Sequence, residues 1–144
     1  MKLSPNFSLE EMTQSTYAAR MGLSNEPDES VIKNLRRMAS KLEEVRAEIG
    51  RPIIVTSGYR SPAVNAGIGG SKQSQHMFGC AADIRALGMS PDDLILRIVG
   101  SDIVYDQLIR EFDSWIHISI PNNLTSKPRM QKLIIDKSGT RVYA

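Results

Sequence analysis

The sequence predicts an α+β domain, helices packed against a mainly antiparallel sheet, and three observations carry that prediction. From Val31 to Ile49 the apolar residues fall every three or four positions, which keeps one stripe on one side of a helix. Trp115 to Ile120 alternates instead, with Ile116, Ile118 and Ile120 on one face and Trp115, His117 and Ser119 on the other. The later strand-like segments are joined by short turn sequences, Asp113-Ser114 and Asp136-Lys137-Ser138-Gly139, that suit adjacent antiparallel pairing.

The chain has 144 residues, of which 41% are hydrophobic and 24% charged, so it fits one folded domain spanning residues 1–144. A chain of this size buries roughly two thirds of its unfolded surface without disulfide help. Cys80 is the only cysteine, which excludes an internal disulfide, and its small neighbours Gly79, Ala81 and Ala82 mark it as a buried strand residue. The net charge of +2 is too small to imply nucleic-acid binding, and the cluster Lys33, Arg36, Arg37 and Lys41 reads as a solvated helix face. No window approaches the ~20 apolar residues of a membrane span. Met1 to Phe7 has no long apolar run, so the expectation is a protein made in the cytoplasm without its own export signal.

In chain order, Ser8 and Glu11 are spaced as a capping box, and Phe7 and Met12 as a hydrophobic staple. One short helix follows, ending at Gly22, with Leu23 to Ser30 a polar connection. The Val31–Ile49 helix stops at Gly50, and Ile53 to Thr56 reads as a buried strand. Ser57 to Pro62 and Gly67 to Ser71 read as loop, and Ala81 to Ile84 as a strand. Ser90-Pro91-Asp92-Asp93 starts a helix that runs to about Gly100. Ile103 to Phe112 and Trp115 to Ile120 form two strands, and Lys132 to Ile135 with Thr140 to Val142 a last hairpin.

The chemistry concentrates in Ser74-Gln75-His76-Met77-Phe78-Gly79-Cys80-Ala81-Ala82-Asp83 and in Trp115-Ile116-His117, which hold both histidines of the chain. Two imidazoles and one carboxylate with no fourth protein ligand suit a catalytic zinc, which keeps a coordination position open for water. Seven residues separate His76 from Asp83, a spacing that works if the histidine lies in a loop and the aspartate on the strand it enters. Taken alone, His76 and Asp83 are equally well explained as hydrogen-bonded structural groups, and His117 is better explained as an ordinary cross-strand histidine.

The ordered motifs resemble those of the zinc D-Ala-D-Ala carboxypeptidase family of peptidoglycan metallopeptidases, in particular its short, phage-associated branch of L-alanyl-D-glutamate endopeptidases. The matching residues are Phe7-Ser8-Leu9-x-Glu11, Thr56-Ser57-Gly58-Tyr59-Arg60-Ser61, Asn65-x-x-Ile68-Gly69-Gly70-Ser71, Ser74-x-His76-x-x-Gly79-x-Ala81-x-Asp83, Asp106-Gln107-Leu108-Ile109-x-Glu111 and Trp115-x-His117. The resemblance implies a hedgehog/DD-peptidase-like fold, with Zn2+ held by His76, Asp83 and His117 and the substrate held by Arg60. It implies hydrolysis of a bond in the peptidoglycan stem peptide, either D-Ala-D-Ala or L-Ala-D-Glu, by a monomer or a part of a virion assembly. Such a protein would act on the wall after release or delivery. Better-known members place the general base three residues before the last histidine, where this chain has Ser114. Glu111, at the end of the preceding strand, is the favoured base, and Asp113 in the turn is the other candidate. Ser74 and Gln107 are candidate supporting residues, and Trp115 is expected mainly to pack in the core. The rival function is a non-catalytic wall-binding or virion structural module that keeps the same fold.

Overall fold

The computed structural model describes residues 1–143. A two-stranded ribbon, β1 (Lys2–Ser4) and β2 (Phe7–Ser8), leads into α1 (Leu9–Thr13). The capping box forms as the sequence predicts: Glu11 N–H donates to Ser8 Oγ at 3.1 Å, and Ser8 N–H donates to Glu11 Oε1 at 3.1 Å. Phe7 and Met12 are both buried in the core.

The expected single N-terminal helix is two, because α2 (Thr16–Met21) starts afresh after a break at Gln14 and Ser15. Long-range partners make the break. Tyr59 N–H takes the Met12 carbonyl at 2.7 Å, Asn25 Nδ2 takes the Thr13 carbonyl at 2.8 Å, and Ser15 Oγ caps the next helix at Ala18 N–H. Gly22 closes α2 in the left-handed conformation, φ 66°, as the sequence suggests.

Helix α3 (Glu29–Ile49) begins two residues before the apolar stripe because Asp28 caps it at Val31 N–H. Its stripe, Val31, Leu35, Met38, Ala39, Leu42, Val45 and Ile49, is wholly buried. After β3 (Ile53–Ser57) comes an element expected as loop, the short helix α4 (Pro62–Gly67), with Ser61 as its cap and Pro62 at its first position. Six residues are too few for periodicity to reveal.

The main sheet adds β4 (Ala81–Ala86), β5 (Gln107–Glu111), β6 (Trp115–Ser119), β7 (Gln131–Asp136) and β8 (Gly139–Val142), in the order β3-β4-β6-β5-β7-β8. Every pairing is antiparallel except β5 with β7. The predicted strand from Ile103 is shorter, starting at Gln107; Ser101 Oγ takes Ile103 N–H at 3.1 Å, a local bond that competes with the ladder. Helix α5 (Pro91–Val99) is capped by Ser90 as expected.

Helices α3 and α5 share one core cluster with Ala82, Ile84, Leu108, Ile116 and Ile118, the residues of one sheet face. Alternation sends Asp83, His117, Ile109 and Glu111 to the opposite face. No helix among the described residues is long and apolar enough to cross a membrane.

Candidate metal centre

Strand register brings the two distant motifs together. Asp83 on β4 lies directly opposite His117 on β6, and Glu111 on β5 lies opposite Trp115, two residues along the same face. His76 arrives from outside the sheet, on a 3₁₀ turn, Gln75–Phe78, rather than the open loop expected. Ser74 caps that turn by accepting from His76 N–H at 3.2 Å, and Gly79 ends it at φ 75°, where a side chain would be strained. A Cβ there would also meet the Val31 carbonyl oxygen of α3 at 2.9 Å, so the turn sits close on that helix.

One ligand atom from each of His76, Asp83 and His117 lies within 4.8 Å of the others. His76 Nε2 stands 3.2 Å from Asp83 Oδ1, and His117 Nδ1 stands 3.1 Å from the same oxygen. The other nitrogen of His76, Nδ1, lies 2.6 Å from the Gly58 carbonyl oxygen. That oxygen only accepts, so Nδ1 carries the proton and Nε2 turns a bare lone pair toward the carboxylate. Two acceptors facing each other at this distance repel unless a positive charge lies between them. Burial holds His76 below its ordinary pKa against the pull of Asp83, which favours the neutral imidazole that a metal ligand must be. A divalent cation fits: burial opposes the charge of Asp83, but the two histidines hold its carboxyl well below the usual carboxylate range, ready as an anionic ligand. His117 Nε2 is buried with no partner among the described residues, while its Nδ1 faces the same point as the other donors.

Gly58, which the sequence reading did not single out, sets this geometry. A Cβ at Gly58 would lie 2.3 Å from the Met12 carbonyl oxygen, so only glycine lets α1 pass against the backbone that holds His76. The same backbone continues to Arg60, whose N–H donates to the His76 carbonyl at 3.1 Å and whose Nη2 donates to Ser74 Oγ at 3.3 Å. Arg60 Nε is buried and unpaired among the described residues. Burial pulls its guanidinium below the ordinary value, while Asp83 and Glu111 act in the opposite direction.

A cavity of about 460 Å³ joins the three donors to Arg60, Glu111 and Trp115. Burial and the charge of Asp83 push the Glu111 carboxyl above its ordinary pKa, with His117, Trp115 and Arg60 pulling the other way. Trp115 lines this cavity instead of packing in the core, and its Nε1 donates to Glu111 Oε2 at 3.0 Å. An indole needs a partner for its N–H when partly buried, and the facing carboxylate supplies one. Asp113 lies elsewhere, its side chain 76% exposed and paired with Arg110 in the turn where Phe112 and Asp113 adopt φ 53° and 54°. Gln107 also lines the cavity, but its amide reaches Gln131 Oε1 at 2.6 Å rather than a donor of the cluster. The basic residues of α3 are partly spoken for, with Arg37 donating to the Pro121 carbonyl and Lys41 paired with Glu44.

Three clustered donors with a cavity open beside them and an elevated carboxyl on its wall could hold one metal ion in a site of the open kind rather than a closed four-ligand structural site. Residues 5–119 match the family model described as Peptidase M15, and the chain belongs to that family. A stretch of 47 residues is 45% identical to the zinc D-Ala-D-Ala carboxypeptidase of Streptomyces albus G, covering 32% of this chain and 18% of that protein's length.

Proposed function

We propose that this chain is a zinc-dependent peptidase that hydrolyses a bond of the peptidoglycan stem peptide, acting as one domain delivered to the cell wall. The observation that carries the reading is the His76–Asp83–His117 cluster, whose ligand atoms lie within 4.8 Å of one another, with Asp83 Oδ1 within 3.2 Å of a nitrogen of each imidazole. Zinc held there would polarise the scissile carbonyl and make water a nucleophile near neutral pH.

The remaining work falls to the chain. Glu111 takes the attacking water's proton and passes it to the leaving amine, a task suited to a carboxyl whose pKa is raised toward the working pH. Trp115 fixes Oε2 of that carboxylate and so aims the other oxygen. Arg60, held by Ser74 and by the backbone of His76, presents its fork to the substrate's carbonyl or carboxylate oxygens. The exposed, ion-paired Asp113 is left as a turn residue.

Mass spectrometry of purified peptidoglycan incubated with the zinc-loaded protein tests the proposal and separates the two candidate bonds. New free termini at D-Ala-D-Ala or at L-Ala-D-Glu are expected. Pelleting with intact wall and no new termini would instead identify a wall-binding module.

A further inference from the structure

Beyond the residues matched by the family model, the segment after β6 folds back and places Arg129 on the wall of the metal-site cavity. Its guanidinium is fixed edge-on by Asp106: Nε donates to Oδ1 at 3.1 Å, Nη2 donates to Oδ2 at 2.7 Å, and the Arg129 N–H donates to Oδ1 at 2.9 Å. Asp106 is buried, and it is itself held by Gln75 Nε2 at 3.0 Å, the residue beside His76. Gln75 is tied in turn to the Ile120 carbonyl at 2.8 Å. These bonds use the Nε/Nη2 edge. Nη1 has no acceptor among the described residues and, on a side chain that is 53% exposed, is open to an incoming ligand.

An arginine held along one edge presents its remaining nitrogen as a fixed, charge-assisted single donor for an anion. Arg129 also lines a second cavity of about 600 Å³, contiguous with the first through Gln73, Gln75 and Arg129, to which Lys72 and Lys127 add positive charge. The only carboxylate of that cavity is Asp106, and Arg129 already neutralises it. The result is a cationic pocket one step from the metal donors, with its charge uncompensated.

We propose that this second cavity is a subsite for a substrate carboxylate, with Arg129 Nη1 as its directing donor and Lys72 and Lys127 as the surrounding positive field. The inference rests on the peptidase reading above and sharpens it: the bond cut is the one that lies a fixed step from a free carboxylate of the stem peptide. Two carboxylates qualify, the α-carboxylate of the glutamate residue and the C-terminal carboxylate of the last alanine.

The test uses stem peptides in which both candidate amides, L-Ala-D-Glu and D-Ala-D-Ala, are replaced by uncleavable reduced links, each in three forms: both carboxylates free, glutamate amidated, and C-terminus amidated. Binding to the zinc-loaded wild-type protein is measured by titration calorimetry, so the readout does not depend on turnover. Amidating the recognised carboxylate is expected to weaken binding by about ten- to hundredfold, the range of a charge-assisted hydrogen bond. In Arg129→Gln that penalty disappears, because free and amidated peptides bind alike. Lys127→Gln, at the rim and unable to loosen Asp106, should reduce the same preference by about twofold. Arg129→Gln weakening every form equally would reveal a purely structural role and overturn the proposal, as would wild-type protein that binds all forms alike or none. Carboxylate-dependent binding without wall cleavage would keep the subsite and sink the peptidase reading; cleavage with no carboxylate preference would do the reverse.

Discussion

The two faces of β4, β5 and β6 place opposite demands on the same strands. One face carries Ala82, Ile84, Leu108, Ile116 and Ile118, all fully buried against α3 and α5. The other carries Asp83, His117, Glu111 and Trp115, buried or half-buried polar groups whose partners are each other. A single residue step separates a side chain whose removal leaves a cavity from one whose removal leaves an unpaired lone pair. Stability and chemistry are therefore separable by substitution, and the separation can be broken or sharpened experimentally.

The largest effect is expected at His117. Replacing it with alanine should abolish zinc retention and wall cleavage together while leaving the far-ultraviolet circular dichroism of the fold intact, because the substitution acts on the cavity face alone. On the opposite face, Ile116→Ala should leave the donors in place and cost about 2–5 kcal/mol of unfolding free energy by chemical denaturation, the usual result of emptying a packed site. Equal losses of stability from the two substitutions would erase the distinction between the faces.

Glu111→Gln should keep zinc and lower kcat by about 10²–10⁴-fold, the usual contribution of a general base. Its effect on stability has the opposite sign. The folded-state pKa of Glu111 is raised, so ionising it costs the fold free energy as pH rises through the interval from the unfolded to the folded value. Metal-free Glu111→Gln should therefore melt above metal-free wild type at pH 7, and the gap should close once pH falls below the ordinary carboxylate pKa. A melting gap that widens in acid would contradict the burial of this group.

Smaller effects belong to the supports. Gly58→Ala must push α1 away from the backbone that accepts from His76, and zinc affinity measured by competition with a chelator should fall about 10- to 100-fold, as for other partners that orient metal ligands. Ser74→Ala removes the cap of the 3₁₀ turn and the partner of Arg60, at about 1 kcal/mol of stability, with a rise in KM.

How much of this was legible in the sequence depended on the range of the forces involved. The Ser8–Glu11 capping box, the Gly22 and Gly50 caps, the α3 stripe and the isoleucine alternation of β6 are local patterns, and all are present as read. The convergence of His76, Asp83 and His117 was legible because a chain with only two histidines placed both in motifs of known spacing. The break between α1 and α2 was not, since it depends on Tyr59 and Asn25 capturing helix carbonyls from 47 and 12 residues away along the chain. The parallel pairing of β5 with β7, the turn of Trp115 toward Glu111 and the fastening of Arg129 by Asp106 share that cause: each is decided by a partner that local pattern does not name. Helix α4 is a different case. Its Ser61-Pro62 start repeats the Ser90-Pro91 signal that correctly marked α5, and the glycines that follow it hid the likeness.

The most direct measurement is the zinc-to-protein ratio after dialysis into metal-free buffer, taken on wild type, Ile116→Val and His117→Ala. A metal centre built from one sheet face and the His76 turn above it predicts one zinc per chain in the first two and none in the third. Zinc retained by His117→Ala, or absent from the wild type, would contradict it.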